Sequence, residues 1–365
     1  MTDTGSQRFY VQLESLRGIA VFLVLISHFI VVKYFPGLKV FRLGFLGVNL
    51  FFVLSGFLIT EILLREIHAQ KKTGEILKNF YVKRVLRIFP IYYLTIALLT
   101  IFDVQNSRHD VVWSFTYTLN IKDIWFGGIS EVMGHLWSLC VEEQFYLIWP
   151  LLLILVPLLL KRYFVIAFIC LSILLRFLTT TFQFREFEVF NHSAMMACMD
   201  SLGLGALLAH TKLTRIEFLK KLLSYRWLPL LVLVFFIILN LVLPTQGVIL
   251  QTFSATLCAI IGFYLVGWGA LNMPTLWSRI VDHAPVRYLG KISYGVYIYH
   301  LVLLVLFERR FSNWWKSIIK GKINFLYYNS WIMSFLAFTA LTIIIATASF
   351  YMIEKPLLKL KAKFY

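Results

Sequence analysis

The stretch LRGIAVFLVLISHF (residues 16–29) decides the fold, because with its flanks it is long and apolar enough to cross a membrane. It nevertheless carries Arg17 near one end and His28 near the other. An ionisable residue inside a spanning segment costs about 2.5–3.5 kcal/mol even on the mildest insertion scale. Both side chains therefore require a structural or functional explanation.

Apolar runs of similar length recur along the whole chain. Its 365 residues are 60% hydrophobic and only 15% charged, whereas about a quarter of the residues in a soluble domain are charged. We therefore predict an all-α, polytopic integral membrane protein with one membrane domain over residues 1–365. We predict ten transmembrane helices, near residues 13–32, 45–64, 88–103, 138–160, 164–182, 194–210, 227–243, 247–268, 292–308 and 331–352. Segment 111–136 is too polar and broken for a span, and we expect it to be re-entrant or interfacial.

The basic character of the chain has a membrane explanation. A formal net charge of +17 would suggest nucleic acid in a soluble protein, but basic loops on one side of the membrane are typical of polytopic proteins. With the N-terminus inside, 23 of the 35 Lys and Arg residues fall on the cytoplasmic side and 11 on the outer side. We therefore predict that both termini are cytoplasmic, and we expect no nucleic-acid partner.

The N-terminus and the cysteines exclude two further features. The first ten residues, MTDTGSQRFY, contain neither a basic n-region nor a cleavage site, so we expect no removable signal peptide. Cys140, Cys170, Cys198 and Cys258 lie in apolar segments without the spacing of metal ligands. We therefore predict no metal.

Arg17 and His28 share one face of the first predicted helix. They are 11 residues apart, which at about 100° per residue is three turns plus roughly 20°, and about 16 Å along the axis. Arg17 would then lie at the cytoplasmic end and His28 toward the outer leaflet. The structural alternatives are an interfacial arginine that extends to the headgroups and a histidine bonded to another helix.

The third predicted span begins YVKRVLRIFPIYYL. Arg84 and Arg87 are three residues apart, on one helix face at the cytoplasmic boundary, and Pro90 follows. Two guanidinium forks suit phosphate groups, so with Arg17 they would form a basic, anion-binding entrance. The alternative is again a set of interfacial arginines.

Two adjacent carboxylates stand at the head of the fourth span, in HLWSLCVEEQFYLIWPLLL. Glu142 and Glu143 have apolar flanks on both sides, which is unusual for a solvated pair. A carboxylate that reached His28 would fix the tautomer of the imidazole and raise its basicity, as a general base requires. The alternative is an ordinary interfacial pair.

The second span, GFLGVNLFFVLSGFLIT, contains small and polar residues. Gly47, Ser55 and Gly56 allow another helix to approach closely, and packing is their expected role. Asn49 must find a hydrogen-bond partner. Asn49 and Ser55 are therefore candidates for hydrogen bonding, to the protein or to a substrate.

The last two predicted spans add further polar residues. Ser293, Tyr297 and His300 follow one another at steps of four and three residues, on one helix face. They are read as core residues, with Tyr297 and His300 also candidates for hydrogen bonding or substrate contact. Near the C-terminus, IEKPLLKL places Glu354 before a proline and is read as a helix stop.

These motifs together resemble a known family. The chain is similar to the acyltransferase-3 family of integral-membrane O-acyltransferases, and the resemblance covers residues 10–356. It rests on an Arg, ten residues and a His in the first span, followed in order by GVNLFFVLSGF, RVLRIFPIYYL, HLWSLCVEEQFYLIWP and ISYGVYIYH. Each motif is weak alone, but five in order with matching placement are specific.

The resemblance implies an activity and a set of site residues. Members transfer an acyl group, usually acetyl, from cytoplasmic acyl-CoA to a hydroxyl, commonly on an extracytoplasmic or lipid-linked glycan. The family's histidine corresponds to His28, its paired arginine to Arg17 and its RxxR motif to Arg84 and Arg87. The glutamates of the VEEQFY motif correspond to Glu142 and Glu143.

The resemblance also implies a location and partners. We expect a bacterial inner (plasma) membrane enzyme in contact with membrane lipids, acyl-CoA and a glycan or glycolipid acceptor. Some relatives carry an extra C-terminal hydrolase-like domain; this chain ends at Tyr365, so we expect that domain to be absent. Either the membrane part completes the transfer, or a separate extracytoplasmic transferase does so.

The residues and the family together predict a mechanism. CoA phosphates would bind Arg17, Arg84 and Arg87, and the pantetheine arm would bring the thioester to His28. The histidine would deprotonate the acceptor hydroxyl or accept the acyl group transiently, and both alternatives stay open. Glu142 or Glu143 would orient the imidazole.

Two other functional classes fit parts of the pattern. A secondary transporter also uses intramembrane Arg, His and Glu, but the inverted repeats and paired broken helices expected there are not evident in the sequence. A non-enzymatic glycan sensor or flippase-like partner is the second alternative. The outer loop 309–330 is basic and aromatic, which suits the membrane interface or an anionic glycan.

Overall fold

The computed structural model describes residues 11–32, 34–184, 186–273, 282–307 and 330–360. Within these ranges the chain forms helices and no β-strand. The loop at 309–330 lies almost entirely outside the described residues.

The described residues form sixteen α-helices. In chain order they are α1 (Val11–Ile26), α2 (Leu43–His68), α3 (Thr73–Ile101), α4 (Val111–Phe115), α5 (Leu119–Trp125), α6 (Trp137–Leu155), α7 (Lys161–Thr181), α8 (Phe187–Ser193), α9 (Met199–Thr214), α10 (Ile216–Leu223), α11 (Leu228–Val242), α12 (Val248–Ala270), α13 (Ala284–Lys291), α14 (Ser293–Phe307), α15 (Ser330–Ser349) and α16 (Lys355–Leu360). Two π-helical turns, Ser27–Val31 and Phe350–Glu354, follow α1 and α15.

The helices confirm an all-α integral membrane protein. Among the described residues seven helical segments are long and apolar enough to cross a membrane, and three bent helix pairs raise the number to ten. The bent pairs are α8 with Met195–Thr214 (59°), α10 with α11 (57°) and α13 with Ser293–Leu306 (74°). The predicted number of spans therefore agrees with the structure, whereas the three breaks were not predicted.

Two helix boundaries differ from the predicted ones. Helix α3 begins at Thr73 rather than near residue 88, because the polar residues of its first turns lower hydropathy but still favour a helix. The helix stop expected at Glu354 is wrong, since the π-helical turn there leads directly into α16. Pro356 is tolerated in the first turn of α16, where few backbone N–H groups have helical partners. Most of segment 111–136 forms the short helices α4 and α5 rather than a span, but its last turn, Glu131–Leu136, begins the candidate span Glu131–Leu155. That part of the prediction is wrong, and the position of α4 and α5 relative to the membrane stays a prediction.

Helix α2 is central and contacts α1, α6, α9 and α12. A Cβ atom at Gly56 would lie 1.9 Å from the carbonyl oxygen of Leu202, and one at Gly205 would lie 2.1 Å from that of Val53. Backbones this close tolerate only glycine, which confirms the packing role predicted for the small residues of the second span. Asn49 also finds its predicted partner, because its Oδ1 accepts a 2.6 Å hydrogen bond from the Ser201 hydroxyl of α9.

An ion pair ties α7, α9 and α12 together. Arg176 and Asp200 are 1% and 0% exposed, and their side chains form two parallel hydrogen bonds of 3.0 and 2.6 Å. The remaining guanidinium donors reach Thr256 Oγ1 at 2.8 Å and the carbonyl oxygens of Thr252 and Ala197. This arginine is therefore fully satisfied by the protein.

Candidate active site

Helices α1, α2, α3, α6 and α14 line a half-open cavity of about 740 Å³, a volume that includes solvent space at its mouth. Most of the candidates found in the sequence meet on its wall, although they come from five separate motifs. The polar lining residues are Arg17, Ser55, Arg84, Arg87, Ser138, Glu142, Glu143, Tyr146, Ser293, Tyr294 and Tyr297.

Three guanidinium groups share this cavity. Arg17 comes from α1, and Arg84 and Arg87 come from one face of α3. Among the described residues, none of the three makes an ion pair or a hydrogen bond with another side chain or carbonyl. The Arg84 guanidinium carbon lies 5.0 Å from the Tyr146 ring centroid and 5.7 Å from the Phe80 ring centroid. Like charges that share one cavity repel one another, so the arrangement favours a bound anion.

A second cavity, of about 540 Å³, lies between α2 and α3 and shares Arg84 and Arg87 with the first. Its other polar lining residues are Glu66, Asn79 and Lys83. It therefore extends the arginine site toward the turn that connects α2 to α3. That turn belongs to the basic loop that the charge distribution predicts to be cytoplasmic, and this orientation stays a prediction.

The carboxylates lie with the arginines rather than with His28. Glu142 Oε1 accepts a 2.8 Å hydrogen bond from Ser55, and the Tyr146 hydroxyl lies 3.0 Å from both Glu142 Oε2 and Ser55 Oγ. The expectation that Glu142 or Glu143 orients His28 is not met in the described residues. Both oxygens of Glu142 have other partners, and Glu143 lines the arginine cavity.

His28 lies where the helix of the first span changes its hydrogen bonding. It is the second residue of the π-helical turn Ser27–Val31, a feature that is frequent at functional sites. Its Nδ1 lies 3.1 Å from the carbonyl oxygen of Val24 and 3.3 Å from His300 Nε2. The side chain is partly exposed but does not line the cavity.

His28 belongs to a cluster of three imidazoles. Ring centroids are 5.1 Å apart for His28 and His300, and 4.9 Å apart for His135 and His300. His135 Nε2 lies 3.0 Å from the carbonyl oxygen of Ile298, and its Nδ1 is buried without a hydrogen-bond partner. His135 was not a candidate from sequence. Its position seven residues before Glu142 was the available signal, but only the packing of α14 brings it to His300.

Tyr297 separates the cavity from the histidine cluster. Its hydroxyl lies 2.6 Å from Ser138 Oγ and 3.1 Å from the carbonyl oxygen of His135. Its ring centroid is 5.4 Å from that of His300 and 5.6 Å from that of His135. The arginine cavity and the imidazoles are thus separated by one side chain.

No group of three or more His, Cys, Asp or Glu side chains in the described ranges could hold a metal ion. Within the cluster, His28 and His300 are at hydrogen-bonding distance, and His135 contacts His300 through its ring. Each has one ring nitrogen next to a backbone carbonyl oxygen. This arrangement favours neutral imidazoles that can accept or pass on protons.

Comparisons with known proteins agree with this geometry. The family model described as an acyltransferase domain (Acyl_transf_3) matches residues 10–351. The peptidoglycan O-acetyltransferase OatA of Listeria monocytogenes is 27% identical over 98% of this chain and 57% of its own length. YrhL of Bacillus subtilis is 27% identical over 97% of this chain and 56% of its own length.

This chain thus spans between half and two thirds of the length of these relatives. No solved structure matches it significantly. The family model extends from the start of α1 to the π-helical turn after α15, and so includes every residue of the cavity and of the histidine cluster. The chain therefore belongs to the acyltransferase-3 family.

Proposed function

We propose that this protein is a membrane O-acyltransferase that moves an acyl group, most simply acetyl, from acyl-CoA to a hydroxyl of an extracytoplasmic or lipid-linked glycan. The family and the name of OatA support acyl transfer to a cell-wall glycan. The observation that carries the proposal is a cavity whose three arginines have no ion-pair partner among the described residues and which ends one side chain away from three histidines.

The arginine end of the cavity is the proposed donor site. Phosphates of acyl-CoA carry several negative charges, and Arg17, Arg84 and Arg87 offer guanidinium forks. Glu142 and Glu143 share the cavity wall, but neither forms an ion pair with these arginines among the described residues. The second cavity leads to these arginines from the α2–α3 turn. With this turn in the cytoplasm, the donor enters from the side where acyl-CoA is made.

The histidine end is the proposed site of transfer. His28 Nδ1 faces the carbonyl oxygen of Val24, which can only accept, so the proton of a neutral imidazole is on Nδ1 and Nε2 carries a lone pair. Nε2 would take the proton of the acceptor hydroxyl while the hydroxyl oxygen bonds to the thioester carbonyl carbon. The C–S bond then breaks, and the proton on Nε2 passes to the thiolate of CoA.

The same lone pair permits a second route. Nε2 itself would attack the thioester carbonyl carbon, and the C–S bond would break to release CoA thiolate. The acceptor hydroxyl oxygen would then bond to the acyl carbon, the C–N bond would break and return the lone pair to Nε2, and the hydroxyl proton would end on the thiolate of CoA. Each route requires the thioester to pass Tyr297, because this residue separates the arginine cavity from the imidazoles. Both routes deliver the same ester and free CoA.

The test uses purified protein in liposomes with labelled acetyl-CoA on the side of the basic loops. Wild type is compared with His28→Ala and with His68→Ala, a matched control. His68 also bonds the carbonyl oxygen four residues earlier, at 2.6 Å, but lines neither cavity. We expect CoA release from wild type and His68→Ala and a loss of about 100-fold or more in His28→Ala.

Label retained on the protein would favour the acyl-histidine route. Equal CoA release by wild type and His28→Ala would show that His28 has no part in the chemistry. Uptake of label into the liposomes without any release of CoA would support the transporter interpretation instead.

A further inference from the structure

A second histidine occupies the place where a carboxylate was expected. His300 Nε2 lies 3.3 Å from His28 Nδ1, although the two residues are 272 positions apart in the chain. His300 is fully buried, at 0% exposure, whereas His28 is partly exposed. The buried ring therefore lies behind the accessible one.

Backbone carbonyl oxygens determine the tautomers of both rings. His300 Nδ1 lies 2.5 Å from the carbonyl oxygen of Tyr297, so the proton of neutral His300 is on Nδ1 and its Nε2 is an acceptor. His28 carries its proton on Nδ1 for the same reason, next to Val24. The His28 Nδ1–H therefore lies between two acceptors, the Val24 carbonyl oxygen and His300 Nε2. His28 Nε2 has no hydrogen-bond partner among the described residues.

We propose that His300 is a positioning residue that holds His28 in the Nδ1–H tautomer and accepts a stronger hydrogen bond when His28 becomes an imidazolium. This inference rests on the proposed function. In serine-protease triads an aspartate has this role, and the wrong tautomer leaves no lone pair on the reacting nitrogen. In this chain a neutral imidazole has the role, which avoids the cost of burying an unpaired carboxylate.

The surroundings of His300 fix it in this orientation. One nitrogen donates to Tyr297, the ring of His135 meets it nearly at right angles (76°), and the ring of Tyr297 packs at 5.4 Å. A ring held on three sides loses little entropy when it binds His28, so the hydrogen bond is preorganised.

Two amide substitutions separate positioning from packing. In His300→Gln the terminal amide reaches the position of Nε2 and offers an oxygen to His28, whereas in His300→Asn the amide ends at the position of Nδ1 and cannot reach it. Both variants remove the imidazole and are neutral, so each is the matched control of the other. Thermal midpoints of the two purified proteins check that they fold equally well.

We expect His300→Gln to retain acetyl-CoA turnover within about tenfold of wild type and His300→Asn to lose about 100-fold in kcat, with KM for acetyl-CoA unchanged in both. Turnovers within threefold of each other, or Asn more active than Gln, would overturn the proposal.

A second readout does not depend on turnover. The ¹⁵N chemical shifts of the His28 imidazole, assigned by difference from His28→Ala, report its tautomer. We expect the Nδ1–H form in wild type and His300→Gln and a mixture in His300→Asn. The same tautomer in all three would overturn the positioning role, whereas an expected shift pattern without any CoA release would leave positioning supported and refute the proposed function alone.

Discussion

Two groups of arginines lie inside this helical bundle, and they differ in their partners. Arg176 is 1% exposed, and each of its guanidinium nitrogens has a protein acceptor. Arg17, Arg84 and Arg87 line a cavity and have no hydrogen-bonding or ion-pair partner in the described part of the chain. In the sequence, Arg176 falls inside the predicted span 164–182, whereas Arg17, Arg84 and Arg87 lie near the ends of predicted spans.

The two groups differ in pairing as well as in burial, since the cavity arginines are partly exposed and Arg176 is not. A charge removed from water is costly unless it is paired and hydrogen-bonded, so Arg176 with Asp200 is a structural element that fastens three helices. Arginines without a protein partner retain their capacity to bind an anion that arrives later. In a membrane protein the hydrogen-bonding and ion-pair partners of an arginine therefore indicate its role.

The largest expected effect is the loss of stability when the buried Arg176 is replaced. Arg176→Met leaves Asp200 buried without a cation, and we expect about 3–5 kcal/mol lower stability or failure to fold. Thermal unfolding in detergent measures it. The control is Arg162→Met on the same helix, where the guanidinium contact is exposed and the expected change is below about 1 kcal/mol. Equal losses in both variants would refute the structural role.

The second effect concerns a cavity arginine. Arg87→Met removes a charge that has no partner among the described residues, so stability should not fall, whereas KM for acetyl-CoA should rise about 10- to 100-fold with little change in kcat. Arg87→Lys keeps the positive charge but lacks the planar guanidinium group, so its KM for acetyl-CoA should lie between those of wild type and Arg87→Met. A loss of stability comparable to that of Arg176→Met would contradict the distinction.

A smaller effect is expected at a paired neutral group. Asn49→Leu removes the hydrogen bond to Ser201 between α2 and α9, and we expect about 1 kcal/mol of lost stability, since such bonds between membrane helices contribute modestly. KM for acetyl-CoA should not change, because Asn49 does not line the cavity. A double-mutant cycle with Ser201→Ala isolates the coupling energy, and a value near zero would contradict the proposed bond.

The smallest expected effect is the change in stability when both members of the Arg176–Asp200 ion pair are replaced. The double variant Arg176→Met with Asp200→Leu replaces the whole ion pair by apolar side chains, and we expect stability within about 1 kcal/mol of wild type, because a buried pair is often no better than hydrophobic packing. Thermal unfolding of both variants measures the recovery. If the double variant is as unstable as Arg176→Met alone, the hydrogen bonds to Thr256 and the backbone matter more than the charge.

Much of the architecture could be predicted because hydropathy is a local property. Runs of about 20 apolar residues predicted the spans, and ten were found when each bent pair counts as one. The bends at α8–α9, α10–α11 and α13–α14 were not predicted, because the first helix of each pair precedes the apolar run that predicted the span.

Most residues of the candidate site could be predicted from the sequence, but which of them contact one another could not. Helical periodicity placed Arg84 and Arg87 on one face, and both line the cavity. It could not show that Glu142 bonds Ser55 rather than His28, because that choice depends on how α6 packs against α2. His135 was missed for the same reason.

The sequence by itself determined the helical segments, the unusual charges inside them and the motifs of the family, since each is encoded within a few turns of chain. Only the tertiary structure decided which polar side chains bind one another: Arg176 with Asp200, Glu142 with Ser55, and His28 with His300. The physical reason is that periodicity gives the face of one helix, whereas a hydrogen bond requires two helices in register at about 3 Å.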